Sequence, residues 1–285
     1  MKSFVKSHPV LAYYILVFTI SWGGTLLLIG GPGSIPGTYE QASRLFTPAL
    51  FIMFAGPFLS GIILNFLYGG KAGLRELWSR LTHWRVGTRW YVVAGLTGPL
   101  LATTVLFGLA IFSRDYLPAI ITADNKLFTV LFGLGWGLLG GGLLEETGWT
   151  GFVIPQLRKR HSIFSTGLIV GYLWGLWHFL IAFWSINYLG KDSPWVLFVA
   201  GFLAFYLLAL PAYRILLVLV YDQTKSLLII MLMHALFSAA SIIFQPLTPG
   251  MVPLVWNIGM GAVLWIIIAV IVTKKRGLLT RNLDS

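Results

Sequence analysis

The chain has 285 residues, of which 57% are hydrophobic and only 10% are charged. A soluble globular domain carries about 25% charged residues, so this composition excludes a soluble protein and predicts a multi-span membrane protein surrounded by the lipid bilayer. The net charge of +11 raises the question of nucleic acid, but the charges lie between the apolar segments and indicate the membrane instead. The chain contains no cysteine, which excludes disulfides and thiolate metal sites.

Apolar runs of about 20 residues, the length that crosses ~30 Å of hydrocarbon, follow one another along the chain. The predicted transmembrane helices are residues 10–30, 46–68, 91–113, 127–149, 164–186, 196–220, 227–245 and 252–273. The first run follows a basic segment but lacks a clear small-x-small cleavage site, so we expect a retained helix. The segments between the runs are short, and residues 1–285 are therefore expected to form a single all-α transmembrane domain.

The distribution of positive charge predicts the orientation, because cytoplasmic segments of membrane proteins are enriched in Lys and Arg. With the N-terminus in the cytoplasm, sixteen of the twenty Lys and Arg residues lie at the cytoplasmic side. The four exceptions are Arg44, Arg114, Lys126 and Lys191. We therefore expect eight spans in the cell membrane with both termini in the cytoplasm.

A few ionisable residues fall inside the apolar runs: Glu145, Glu146, His178, His234 and, near the inner end of the sixth run, Arg214. Each charge near the bilayer centre costs about 2.5–3.5 kcal/mol on insertion scales, and such residues are retained mainly where they line a polar cavity or perform chemistry. A single buried histidine is equally well explained as a hydrogen bond between helices. Two adjacent carboxylates are not, since they add desolvation cost without helping helices to pack.

Two patterns predict that these groups meet. Counted at about 1.5 Å per residue, Glu145, His178 and His234 lie at similar depths in the inner half of the membrane. Glycines recur every four residues before Glu145 and His178, and small residues at this spacing let helices pack closely in lipid. The two stripes are Gly133, Gly137 and Gly141, and Gly167, Gly171 and Gly175. They are expected to turn Glu145 and His178 toward neighbouring helices.

A carboxylate and an imidazole at a buried point that water reaches can make the water nucleophilic. A second histidine with a nearby hydroxyl, here His234 and Ser238, can donate hydrogen bonds to the oxyanion of a tetrahedral intermediate. Alternatively, Glu145, His178 and His234 supply the two imidazoles and one carboxylate of a catalytic zinc site with an open position. The sequence leaves open whether the cofactor is zinc or none.

Three segments resemble the motifs of the CAAX prenyl protease and bacteriocin-processing (CPBP) family of intramembrane endopeptidases, also called abortive-infection proteins. They are EETGWTGFVIPQL at 145–157, WGLWH at 174–178 and HALFS at 234–238, and the resemblance extends over residues 84–240. It implies that Glu145 and His178 activate water, that His234 contributes to an oxyanion hole, and that Glu146 is a secondary carboxylate. It further implies a peptide or lipidated protein substrate, reached through an active site that opens toward the cytoplasm.

The chain departs from the family pattern at two positions. The first motif is often EExxxR, but Thr150 stands at the arginine position. We therefore expect a protonated Glu146 or support from Arg214, and we favour an Arg214 that instead reaches the membrane surface. The third motif often ends in Asn or Asp, where this chain has Ser238. At the second motif, Trp174 either shapes the cavity or serves as packing bulk.

Two other functions stay open. The motif departures suggest a catalytically silent membrane scaffold, or an immunity or regulatory protein with the same fold. A proton-coupled transporter also uses intramembrane Glu and His residues, but the sequence shows no internal repeat and no matched pair of broken helices, which many transporters have.

Overall fold

A computed structural model describes residues 2–189, 194–275 and 277–280, without the side chain of Lys2. Three cations that the orientation analysis counted, Lys191, Arg276 and Arg281, lie outside the described residues. Within the described ranges every regular element is helical, which confirms the all-α prediction. An all-helical bundle is expected in lipid, because a helix satisfies its backbone hydrogen bonds within one segment.

Seven helices are long and apolar enough to cross a membrane. They are α1 (Pro9–Ile29), α2 (Tyr39–Leu81), α3 (Thr88–Ala110), α4 (Lys126–Leu157), α5 (Ile163–Trp184), α6 (Trp195–Thr224) and α8 (Met251–Lys274). Between the last two lies the shorter apolar helix α7 (Leu227–Ile243). Each of the eight predicted runs thus corresponds to a helix, although α7 has 17 residues and rises only about 26 Å. The location of both termini in the cytoplasm stays a prediction.

The outer faces of these helices carry large apolar side chains. Leu27 is 86% exposed, Leu131 59% and Ile266 61%. Hydrophobic residues this exposed on several helices would be unfavourable in water. This surface therefore agrees with a protein that is surrounded by lipid.

Both glycine stripes lie at helix–helix contacts, as predicted. On α4, Gly133 faces Ile243, and a Cβ atom added to Gly141 would lie 2.5 Å from Ser238 Oγ. On α5, Gly167 faces Ile215 and Gly171 faces Pro211. The absence of side chains thus lets α4 approach α7 and lets α5 approach α6. These two contacts bring the helices with the ionisable residues together.

Helix α4 departs from regular α-helical geometry around the two glutamates. It is π-helical over Gly137–Glu145 and again over Trp149–Val153. Such widened turns are rare and are frequent at functional sites. Glu145 and Glu146 therefore occupy the junction between a π-helical segment and a short α-helical segment.

Candidate active site

Glu146 is fully buried and forms the meeting point of three helices. Arg214 Nη1 on α6 lies 2.7 Å from Glu146 Oε1 and 3.0 Å from Oε2. His234 Nδ1 on α7 lies 2.7 Å from Oε1, and the hydroxyl of Thr150, one turn later on α4, donates to Oε2. One carboxylate thereby holds α4, α6 and α7 together.

The favoured prediction that Arg214 reaches the membrane surface is wrong. Arg214 is 0% exposed, and its guanidinium carbon lies 4.2 Å from the centre of the Trp174 ring. A guanidinium with a carboxylate partner and an aromatic face is stabilised inside the bundle, so its charge does not have to reach water. The alternative expectation, that Arg214 supports Glu146 from another helix, is confirmed.

Glu145 accepts hydrogen bonds from a different set of donors. It is 4% exposed, and its Oε2 accepts hydrogen bonds from two indole N–H groups. Trp149 Nε1, one turn later on α4, lies 3.2 Å away, and Trp174 Nε1 donates from α5. Hydrogen bonds to a charged group are each worth about 1.5–3 kcal/mol. They hold one oxygen of Glu145, while no described residue donates a hydrogen bond to Oε1.

Trp174 is the residue around which the other groups are arranged. Its side chain is 2% exposed. Its ring centre lies 4.9 Å from that of His234 and 5.9 Å from that of His178, and its N–H binds Glu145. Of the two interpretations of Trp174, the structure supports the one in which this residue shapes the site.

His178 follows Trp174 by one turn on α5 and is half-buried. Its Nδ1 lies 2.9 Å from the carbonyl oxygen of Trp174. Because a carbonyl only accepts, this contact assigns the proton to Nδ1, and Nε2 of the neutral ring keeps its lone pair. The ring of Tyr206, on α6, lies 4.6 Å from the His178 ring. The ring is thus held in the tautomer that can accept a proton or a hydrogen bond at Nε2.

His234 is also held through Nδ1, but by a carboxylate and not by a carbonyl. Its Nδ1 donates to Glu146, so Nε2 can donate only when the ring is doubly protonated. Nε2 faces the bare backbone of Gly141, where an added Cβ atom would lie 3.0 Å away. Ser238 Oγ, one turn further along α7, borders the same spot. The two predicted oxyanion donors therefore lie side by side across from α4.

The described residues do not support the zinc alternative. They include no group of three His, Cys, Asp or Glu side chains that are placed to hold a metal ion. Glu145 Oε2 already accepts hydrogen bonds from two indole N–H groups, which compete with a metal ion for that oxygen. The predicted ligand set of Glu145, His178 and His234 is not assembled, and no step proposed below uses a metal.

A cavity of about 380 Å³ adjoins this cluster. Two residues form the part of its wall next to the cluster: Tyr206 on α6, and Ala182, which follows His178 by one turn on α5. Most of the remaining wall is apolar or aromatic. Its far end is bordered by Leu189 and Pro246, which follow the C-terminal ends of α5 and α7, on the side opposite to the basic segment at Arg158. By the predicted orientation, this cavity extends toward the non-cytoplasmic side. The predicted cytoplasmic opening stays a prediction.

Some residues of the site were missed by the sequence analysis. Trp149 follows Glu145 by four residues, a spacing that places both side chains on one helix face, and this signal was available. Tyr206 is one aromatic residue among many in an apolar run, and nothing in the sequence distinguishes it. The structure brings Glu145, Glu146, Thr150, His178, His234 and Ser238 into one region, and their roles in catalysis stay predictions.

Comparison with known proteins finds similarity to CAAX prenyl endopeptidases. Residues 128–240 match the family described as Type II CAAX prenyl endopeptidase Rce1-like. A curated relative named CAAX prenyl protease 2, from Methanococcus maripaludis, is 28% identical over 130 residues, which are 45% of this chain and 41% of the relative. The chain thus matches about two fifths of the relative's length. These similarities confirm the resemblance that the three motifs predict.

Proposed function

From its resemblance to the Rce1-like CAAX prenyl endopeptidases over residues 128–240, we propose that this chain is an intramembrane endopeptidase. It hydrolyses a peptide bond of a membrane-associated substrate, either a hydrophobic peptide or a lipidated protein. The single observation that supports this most directly is the arrangement around Trp174. This residue holds one oxygen of Glu145 through its indole N–H and fixes the tautomer of His178 through its carbonyl.

In the proposed reaction, Glu145 and His178 orient a water molecule toward the carbonyl carbon of the scissile bond. Glu145 takes one proton as the water oxygen bonds to that carbon, and the carbonyl electrons move to its oxygen. His234, in its doubly protonated form, and Ser238 donate hydrogen bonds to this oxyanion. When the intermediate collapses, the C–N bond breaks and the proton on Glu145 passes to the leaving amine. The products are an amine and a carboxylic acid, which then releases its remaining proton to water.

Glu146, Thr150 and Arg214 take supporting roles in this proposal. Glu146 orients His234 through Nδ1, and Arg214 and Thr150 hold Glu146. Arg214 supplies the cation that the motif arginine usually provides, so one of the two departures that suggested a silent scaffold is compensated. The apolar cavity beside Tyr206 is suited to the uncharged side chains of a hydrophobic substrate.

The test compares wild-type protein in detergent with Glu145→Gln and His178→Ala on a quenched library of hydrophobic and prenylated peptides. Loss of the general base is expected to lower turnover by about 10²–10⁴-fold. Glu40→Gln is the matched control, because the Glu40 side chain is 84% exposed and pairs only with Arg44 at the surface. A chelator is added in parallel, and we expect no effect on turnover. Undiminished cleavage by Glu145→Gln would contradict the assignment and favour the scaffold.

A further inference from the structure

A second cavity, of about 320 Å³, lies where α1 begins and α4 ends. We call it the basic pocket. Its wall carries five basic side chains, Lys6, His8, Lys159, Arg160 and His161. No acidic residue lines it, and in the described parts of the chain none of its Lys or Arg side chains forms an ion pair. Like charges gathered without a counterion repel one another, so this pocket is electrostatically suited to an anion.

One cation of the basic pocket, Lys159, makes contacts that hold it at the wall. Lys159 Nζ donates to Gln156 Oε1 at 2.7 Å and to the Tyr68 hydroxyl at 3.2 Å, and it lies 5.0 Å from the centre of the Tyr68 ring. The nearby Asp222 offers no neutralisation, since it already pairs with Arg158 and Lys225. The Lys159 charge is thus fixed to the wall of the pocket.

The first turn of α1 also lies at the basic pocket, directly after a six-residue helix, Lys2–Ser7. The backbone leaves helical geometry at His8 (φ −134°, ψ 57°), and α1 begins at Pro9 with no side-chain cap. Pro9, Val10 and Leu11 line the basic pocket. The N-terminal end of a helix carries a partial positive charge that favours anions. The C-terminal end of the helix Lys2–Ser7 carries the opposite partial charge at the same place, so the preference for an anion comes from the basic side chains.

The surroundings of the basic pocket identify the source of the anion. Leu11 and Ile15, one turn apart on α1, are each 52% exposed. They form an apolar strip that runs from the wall of the pocket along the lipid-facing side of the helix. A free phosphate ion would not use such a strip, whereas the acyl chain of a phospholipid would. Basic pockets at the membrane surface are suited to anionic lipid headgroups.

We propose that the basic pocket binds the phosphate of an anionic phospholipid, whose acyl chain lies along Leu11 and Ile15. The proposal does not depend on the chemistry of the Glu145 site. Its test is native mass spectrometry of the intact protein in detergent, titrated with phosphatidylglycerol and, separately, with phosphatidylcholine. Wild-type protein is expected to retain one phosphatidylglycerol and to bind phosphatidylcholine more weakly.

Lys159→Gln/Arg160→Gln is expected to weaken phosphatidylglycerol binding about thirtyfold, at about 1 kcal/mol per cation near the surface. Lys274→Gln/Lys275→Gln is the matched control. It removes the same charge at the end of α8, away from the pocket, and should change the affinity less than about threefold. Size exclusion and thermal unfolding establish that both variants are folded.

Three results would overturn the proposal. Equal binding of the two lipids would show that the phosphate charge is not recognised. Equal weakening in the two double variants would show general attraction to a basic surface. Displacement of phosphatidylglycerol by millimolar inorganic phosphate would make free phosphate, and not a lipid, the occupant of the basic pocket.

Discussion

Relocating the buried arginine is the most demanding test of the ion pair at Glu146. Arg214→Ala leaves the Glu146 carboxylate fully buried with only Thr150 and His234 as donors. Thr150→Arg then restores a guanidinium at the position four residues after Glu146, where the two side chains share a helix face. Thr150 is itself fully buried against Glu146, so the new arginine has to occupy the space that Arg214 leaves.

The loss of stability expected for Arg214→Ala follows from the burial of the ion pair. Removing one partner of a buried ion pair costs about 3–5 kcal/mol, and the contact between Arg214 and Trp174 adds up to about 2 kcal/mol. Arg214 Nε and Nη2 have no hydrogen-bond partner among the described residues, so part of the arginine's own desolvation is uncompensated. We therefore expect a loss near 3 kcal/mol. At about 2–4 °C per kcal/mol, the apparent unfolding temperature falls by about 6–12 °C.

The assay is thermal unfolding in detergent of wild type, the two single variants and Thr150→Arg/Arg214→Ala, with peptide cleavage measured in parallel. Thr150→Arg alone places a second cation beside one carboxylate and is expected to destabilise the protein. The double variant should be more stable than either single variant and should recover part of the cleavage. If the two losses simply add, Arg214 does not replace the motif arginine and the reasoning is refuted.

Two further predictions concern residues that position the site side chains. Trp174→Phe removes the N–H donated to Glu145 but keeps an aromatic ring, and we expect cleavage to fall about tenfold. Trp265→Phe, on α8, is the control. Equal losses of cleavage in both variants would contradict a role of Trp174 at Glu145. Gly141→Ala places a Cβ atom 2.5 Å from Ser238 Oγ and is expected to lower stability by about 1–3 kcal/mol. At Gly135 an added Cβ atom would meet no atom of another helix within 4 Å, so Gly135→Ala should be neutral or slightly stabilising in thermal unfolding. A similar loss of stability in both variants would contradict the packing argument.

The helices were predictable because each apolar run has only one way to satisfy its backbone in lipid. Their ends were less predictable. The predicted span 46–68 lies within a helix that extends over Tyr39–Leu81, because an amphipathic helix follows it directly. The junction is Gly70, whose φ of 60° and ψ of −147° are conformations that glycine adopts most readily. Hydropathy detects the membrane segment, but it does not show where that segment ends and the amphipathic helix begins.

The glycine stripes predicted which faces make contact, but not which helices meet. A stripe shows that a backbone approaches, and it carries no information about the partner. The approach of Gly141 to α7 and of Gly171 to α6 depends on all the helices packing at once. The position of the Arg214 side chain was mispredicted for the same reason. Sequence shows the distance from the arginine to the membrane surface, but its carboxylate partner is 68 positions away.

The adjacent glutamates are explained by a division of roles that neighbouring positions on a helix permit, since side chains at i and i+1 do not face each other. Glu146 is enclosed by a cation and two other donors, whereas Glu145 keeps one oxygen without a donor from any described residue. We therefore expect opposite profiles for two chemically identical substitutions. Glu145→Gln should abolish cleavage with an unfolding temperature close to wild type, because a Gln carbonyl still accepts from the indoles. Glu146→Gln leaves Arg214 buried without a carboxylate and should lower stability by about 3 kcal/mol. Equal stability losses in the two variants would show that both glutamates stabilise the fold.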